Sequence, residues 1–177
     1  MVSTKDSPPG GADGRLRDLG IRLPAAPTPF GTYVETVQTG NLLFFSGMLP
    51  VVDHKPKYLG RLGKELNIEA GRDAAYTAAL NVLAAAKEHL GSLDRVTRVV
   101  RLGVFIATYG DFFDQPKVAD AVSDLFRDVF WHPENIRSGG SRCCQPAPGG
   151  ADWARCHLRS RGVANFSAAF RCLPTSN

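Results

Sequence analysis

The first 142 residues contain no cysteine, and the first 130 contain no tryptophan. All four cysteines (Cys143, Cys144, Cys156, Cys172) and both tryptophans (Trp131, Trp153) lie after Phe130. No apolar run approaches the roughly 20 residues that a membrane-spanning helix needs, which excludes a helical membrane protein. Residues 1–14, MVSTKDSPPGGADG, have no apolar centre, which excludes a secretory signal. Their Pro and Gly content reads as a disordered leader. What is present is ordinary: 177 residues, 44% hydrophobic and 21% charged, enough for one soluble domain with a core.

The net charge of +4 is unevenly placed. Residues 131–177 carry six Arg, no Lys, and only Glu134 and Asp152 as acids, which leaves 15 basic and 15 acidic residues in 1–130. A neutral domain over 15–130 is therefore followed by a basic tail of different composition over 131–177, expected to be disordered or poorly folded.

Within the domain, residues 32–37 (TYVETV) and 41–46 (NLLFFS) read as two strands around a turn at Gln38, Thr39 and Gly40, a hairpin. Residues 51–65 read as a polar loop. Over residues 69–90, Ala74, Ala78, Val82 and Ala85 recur at helical spacing with Ala75, Ala79, Leu83, Ala86 and Leu90 beside them. That predicts a helix with a wide face of small residues, ended by Gly91. Residues 96–108 predict the strongest strand, with Val96, Val100, Leu102, Val104 and Ile106 as one face. Both faces turn apolar toward its end, which predicts a central strand or a subunit interface. Residues 115–130 predict a second helix through Val118, Val122, Leu125, Phe126 and Val129. The order β-β-α-β-α predicts an α+β sandwich, a mixed sheet on two helices, with the final strand missing. After Trp131 only residues 163–173 are apolar enough to suggest one, and weakly. A sheet without it has an unpaired edge, which predicts poor solubility.

Codon arithmetic offers a cause for the break. Moving the reading frame forward by one base builds each new codon from two bases of one codon and the first of the next. The pairs Trp131, His132 and Trp153, Ala154 then must both encode Gly. With permitted choices at the free bases, residues 138–162 become RAVAGAASLPLGAPIGLDVIFEVE, which ends in a β-rich run. The tail is thus expected to be an out-of-frame translation that begins close to Phe130.

The ordered part resembles the RidA (reactive intermediate deaminase, or L-PSP endoribonuclease-like) family. The resemblance is carried by Phe30-Gly31-Thr32-Tyr33-Val34, by Gly40-Asn41-Leu42-Leu43-Phe44-Phe45-Ser46-Gly47-Met48-Leu49-Pro50, by the AALNVLAAAKEHLGSLDRVTRVV helix–strand junction and by Asp111-Phe112. It covers about residues 20–130. The loop at 53–66 looks like a less-studied branch. The resemblance implies a chorismate-mutase-like fold, a cytoplasmic homotrimer, clefts between subunits for small ligands, and cofactor-free hydrolysis of enamines and imines to a keto acid and ammonia. It places Tyr33, Ser46 and Asp120 as substrate-binding residues. Two alternatives stay open: a non-catalytic ligand-binding protein on this fold, and an RNA-associated protein.

Imine hydrolysis needs the substrate carboxylate held, a water delivered to the imine carbon, and protons moved. Arg suits the first step through its bidentate fork, and a carboxylate or ordered water the others. The family's carboxylate-binding Arg has no counterpart here, since Ser138-Gly139 occupies its place, and the acid-base Glu of the last strand is absent. No catalytic residue is assigned, and the chain is expected to be impaired. Cys143-Cys144 and Cys156-His157 fit no usual zinc spacing, so no metal is expected. Gly60-Arg61-Leu62-Gly63-Lys64 is no phosphate loop, because its glycines are too close and Glu65 replaces Ser/Thr. The tail arginines lack interleaved aromatics, which argues against nucleic acid.

Overall fold

The computed structural model describes residues 10–29, 31–130, 136–138, 142–144 and 164–173, with side chains not described at 136–138, 142–144 and 164–167. The elements are α1 (Gly11–Asp18), β1 (Thr36–Thr39), β2 (Leu42–Phe45), β3 (Val51–Val52), β4 (Lys55–Pro56), α2 (Ile68–Leu90), β5 (Val96–Ala107), α3 (Gln115–Phe130), β6 (Ile136–Ser138), β7 (Arg142–Cys144) and β8 (Ala164–Cys172). The architecture is α+β: a mixed sheet ordered β1-β2-β8-β5-β6, with β7 also on β5, packed on α2 and α3.

The two long helices form where the apolar spacing predicts them. Asn67 caps α2 by accepting from the Ala70 N–H at 2.9 Å, and Gly91 ends it at φ 80°. Its alanine face is fully buried, so helix and sheet approach closely. Gly71 lets α2 approach the loop at Leu62 and α3, because a Cβ there would lie 2.8 Å from Leu62 Cδ2 and 3.3 Å from Val118 Cγ2. The stripe of α3 (Val118, Ala121, Val122, Leu125, Phe126, Val129) is buried against the same core.

The hairpin pairs Thr36 with Phe45 and Thr39 with Leu42, so its turn is Gly40-Asn41 rather than Gln38-Thr39-Gly40, with Gly40 at φ 58°. The strand β5 is central, between β8 and the β6/β7 pair. Its faces differ from simple alternation: Val99 is fully buried while Val100 is 40% exposed. The irregularity between Val99 and Arg101 reverses the phase, as an inserted residue in a period-two strand must. The segment expected to be a plain polar loop contains the β3–β4 hairpin. Asp53 and His54 turn it with φ of 50° and 60°, the two positive values that a tight hairpin turn of this hand requires.

The expected missing strand is present. β8 runs antiparallel between β2 and β5, with Phe170 opposite both Leu43 and Val99. Its sequence alternates Phe166, Ala168, Phe170 and Cys172 with Asn165, Ser167, Ala169 and Arg171. Small residues on both faces weaken that signal. Burial reveals it: Phe170 is completely buried and meets Phe45, Phe126 and Phe130 edge-on at centroid distances of 4.9, 5.7 and 5.7 Å. The tail thus supplies strands to the sheet, while the rest of it lies outside the described residues.

The stretch expected to be a disordered leader also contributes. Its residues 1–9 lie outside the described residues, but α1 begins at Gly11 and buries Ala12, Gly14 and Leu16. Asp13 fastens it: Lys87 Nζ lies 2.9 Å from Asp13 Oδ1, and Ser92 Oγ donates to Asp13 Oδ2 at 2.7 Å. Gly11, at φ 58°, permits the entry, because a Cβ there would collide with the Asp94 carboxylate at 2.3 Å. Arg15 donates to the Asp128 carbonyl at the end of α3.

Candidate functional site

Tyr33 and Ser46 meet in one cleft, whose walls also include Pro27, Pro29, Glu35, Met48, Leu49 and Val51. The hairpin register explains the meeting. Thr36 faces Phe45, and one further step places Glu35 opposite Ser46, whose N–H donates to the Glu35 carbonyl at 2.9 Å. The strand expected over 32–37 begins only at Thr36, and the bends at residues 31–33 and 35 turn the chain so that Tyr33 lines the same cleft as Glu35. Glu35 is therefore a site residue that the motif-based assignment missed. Extending the hairpin ladder by one pair is the sequence signal that finds it.

The far wall is held by α2. Asn81 is buried, and its Nδ2 donates to the carbonyls of Leu49 (2.9 Å) and Val51 (3.1 Å). A buried amide with its donors satisfied fixes the backbone it touches. His54, at the tip of the β3–β4 turn, lies with Nδ1 3.2 Å from Thr28 Oγ1.

The cleft is narrow, with a cavity volume of about 10 Å³, which is room for about one water-sized group. Beside it opens a wider hollow of about 330 Å³ that shares Pro29, Tyr33 and Glu35 and is bounded by Thr36, Ala85, Glu88 and His89. His89 Nδ1 lies 3.2 Å from Thr36 Oγ1 and its Nε2 lies 3.1 Å from Gln38 Oε1. Ser46 Oγ is buried and has no hydrogen-bond partner within the described residues. Burial pushes the Glu35 carboxyl above its ordinary range, the Glu88 charge pushes it further, and His54 pulls it back. Among the described residues, no Lys or Arg lines either space.

Asp120 does not join this site. It lies on the exposed surface of α3, and neither space includes it. The glycine-rich loop holds itself instead of an anion. Glu65 Oε2 accepts from the Arg61 N–H at 2.9 Å, and its Oε1 lies 3.1 Å from Arg61 Nη2. Those bonds hold its carboxyl well down, at about 2. Among the described residues, no group of three His, Cys, Asp or Glu is placed to hold a metal. Cys172 is buried on β8 with its thiol pushed up by burial. The side chains of Cys143 and Cys144, and Cys156-His157 altogether, lie outside the described residues. No described helix is long and apolar enough to cross a membrane.

Comparison with known proteins gives a consistent set of likenesses. The family model described as "YjgF/chorismate mutase-like, putative endoribonuclease" matches residues 13–140. Protein TCP17 of Trypanosoma cruzi is 44% identical over 115 residues, 65% of this chain and 72% of that protein. A 2-iminobutanoate/2-iminopropanoate deaminase of Dermatophagoides farinae is 28% identical over 110 residues, 62% of this chain and 75% of that one. Among solved structures, a "putative endoribonuclease" of Shewanella oneidensis superposes with a TM-score of 0.76 at 25% identity, covering 91% of this chain and 99% of that one.

Proposed function

The chain belongs to the YjgF/chorismate mutase-like family, and on that premise we propose that the Tyr33–Ser46 cleft is the ligand site of a small-molecule, imine-deaminase-type hydrolase fold, with turnover of carboxylate-bearing imines impaired in this chain. The observation that carries the reading is the convergence of Tyr33, Glu35 and Ser46 on one cleft at the open end of the hairpin. The deaminase relative supports the reaction class. In that reaction water adds to the imine carbon, the nitrogen takes a proton, and the C–N bond then breaks to release ammonia. No cofactor is called for.

The impairment follows from charge. A keto-acid imine carries a carboxylate that needs a cation, and the described walls supply two carboxylates instead. The parallel proposal that the tail arose by a change of reading frame close to Phe130 is supported by its composition, while the family match runs on to residue 140. The presence of β8 counts against the loss of the last strand that this proposal expected.

A homotrimer completes the proposed site. Val37, Phe44 and Val100 are 50%, 45% and 40% exposed. Val37 faces Phe44 and Phe44 faces Ala169, so an apolar row crosses the sheet surface. Such a row is suited to burial against other subunits. A subunit placed there would also enlarge a cleft that alone admits one water-sized group.

The test is ammonia release from 2-aminoacrylate, measured against the enzyme-free rate. The purified chain is expected to add nothing to that rate. Robust, saturable turnover would overturn the impairment and return the chain to the active deaminases.

A further inference from the structure

The cleft holds groups that a carboxylate-binding role leaves unused. Glu35 borders both the narrow cleft and the wide hollow. Ser46 Oγ is buried there with lone pairs unclaimed by any described donor. Glu88 adds a second negative charge at the rim of the hollow, and no Lys or Arg among the described residues opposes it. The narrow space, about 10 Å³, fits an –NH₃⁺ or =NH₂⁺ group, which is close to the size of water.

We propose that this site selects small organic cations, primary ammonium or protonated iminium compounds, with the nitrogen in the narrow cleft between Glu35 and Ser46 and the carbon part in the hollow beside Tyr33 and Ala85. The proposal rests on the reading of the cleft as a ligand site and changes its substrate class, since no carboxylate is required.

The chemistry is complementary at each contact. The nitrogen head donates one N–H to the Glu35 carboxylate and one to Ser46 Oγ, both charge-assisted and so stronger than neutral bonds. The face of Tyr33 tolerates a cation or its polarised methylene. The groups facing Glu35 agree with this choice. Glu88 on α2 disfavours the Glu35 anion, as burial does, and a bound cation offsets both. His54 on the β3–β4 turn, when protonated, competes with the ligand for the same carboxylate. An anion in the same place meets Glu35 and Glu88, opposed among the described residues only by His54 and His89 when these are protonated.

The experiment uses the full chain and two probes of matched carbon number, propylammonium and propionate, titrated at low ionic strength by calorimetry or by NMR shifts. Propylammonium is expected to bind and propionate not. Glu35→Gln, with unchanged circular dichroism, is expected to weaken propylammonium binding by about tenfold or more, as loss of a charge-assisted hydrogen bond does. Glu88→Gln at the rim is expected to weaken it by less. Binding is expected to fade as acid protonates Glu35. Propionate binding as tightly as propylammonium, or Glu35→Gln leaving propylammonium unaffected, would overturn the cation assignment while leaving the ligand site standing. Failure of both probes would remove the assignment and the ligand site together.

Discussion

Replacing Phe170 by Ala tests whether the tail belongs to the folded sheet. Phe170 is completely buried and sits in register between Leu43 of β2 and Val99 of β5. It makes three edge-on ring contacts, with Phe45, Phe126 and Phe130. Truncating a buried Phe costs about 3–5 kcal/mol. Each lost aromatic pair is worth about 0.5–1.5 kcal/mol beyond its area, which argues for the upper end of that range. Set against a typical total of about 5–15 kcal/mol, the substitution removes a large share of the stability. At about 2–4 °C per kcal/mol for a chain of this size, Tm should fall by about 6–20 °C. Leu173→Ala is the control. Leu173 is 50% exposed just past the strand, and surface changes of that kind stay within about 0.5 kcal/mol. Thermal and urea unfolding of the two variants beside the parent give the answer. A Phe170→Ala protein that melts within a degree of the parent would mean that residues 164–172 do not occupy the sheet.

Two further outcomes are expected. Asp13→Asn should loosen α1 and lower stability by about 1–2 kcal/mol, the worth of its lost charged hydrogen bonds. Burial raises the Asp13 carboxyl, but hydrogen bonds from Lys87 and Ser92, the Lys87 charge and the Leu93 N–H outweigh it and hold it below the ordinary carboxylate range. A depressed folded-state value means that the contribution is complete well above the ordinary carboxylate range and is lost as pH falls through the folded value. Acid titration of parent and variant should therefore converge at the lowest pH; parallel curves there would refute it. Asn67→Ala removes the cap of α2 and should cost about 1 kcal/mol in urea unfolding; an unchanged midpoint would argue that the helix end is held by its packing alone.

Legibility in the sequence followed the physical origin of each element. The helices α2 and α3 carry long periodic apolar faces, and their bounds are readable from spacing. The hairpin is readable from its turn, although the turn moves by a residue because Gly40 alone accepts a positive φ there. β5 is readable as central, but not its facing, because the irregularity after Val99 exchanges the two sides. β8 was hidden by its small residues: Ala168 and Ala169 are both buried, one on each face, so alternation of polarity fades just where the strand is most enclosed. α1 was hidden by composition, since the partners of Asp13 are at residues 87, 92 and 93, far along the chain. At the cleft, Tyr33 and Ser46 were named from the motif and the fold brings them together, while Glu35 gains its raised carboxyl from burial and from Glu88, which only the fold brings near. Asp120 shows the converse, a helix position that no wall of the cleft uses.

The buried amide of Asn81 divides the cleft into two mechanically unlike halves. Leu49 and Val51 are tied by their carbonyls to the middle of the longest helix, so that wall cannot shift without leaving a buried donor unsatisfied. The opposite wall, made by Pro27, Thr28, Pro29, Tyr33 and Glu35, has no such tether to α2 among the described residues. A cleft built this way can change shape through exchange of Pro29, Tyr33 and Glu35, while the anchored side keeps its depth constant.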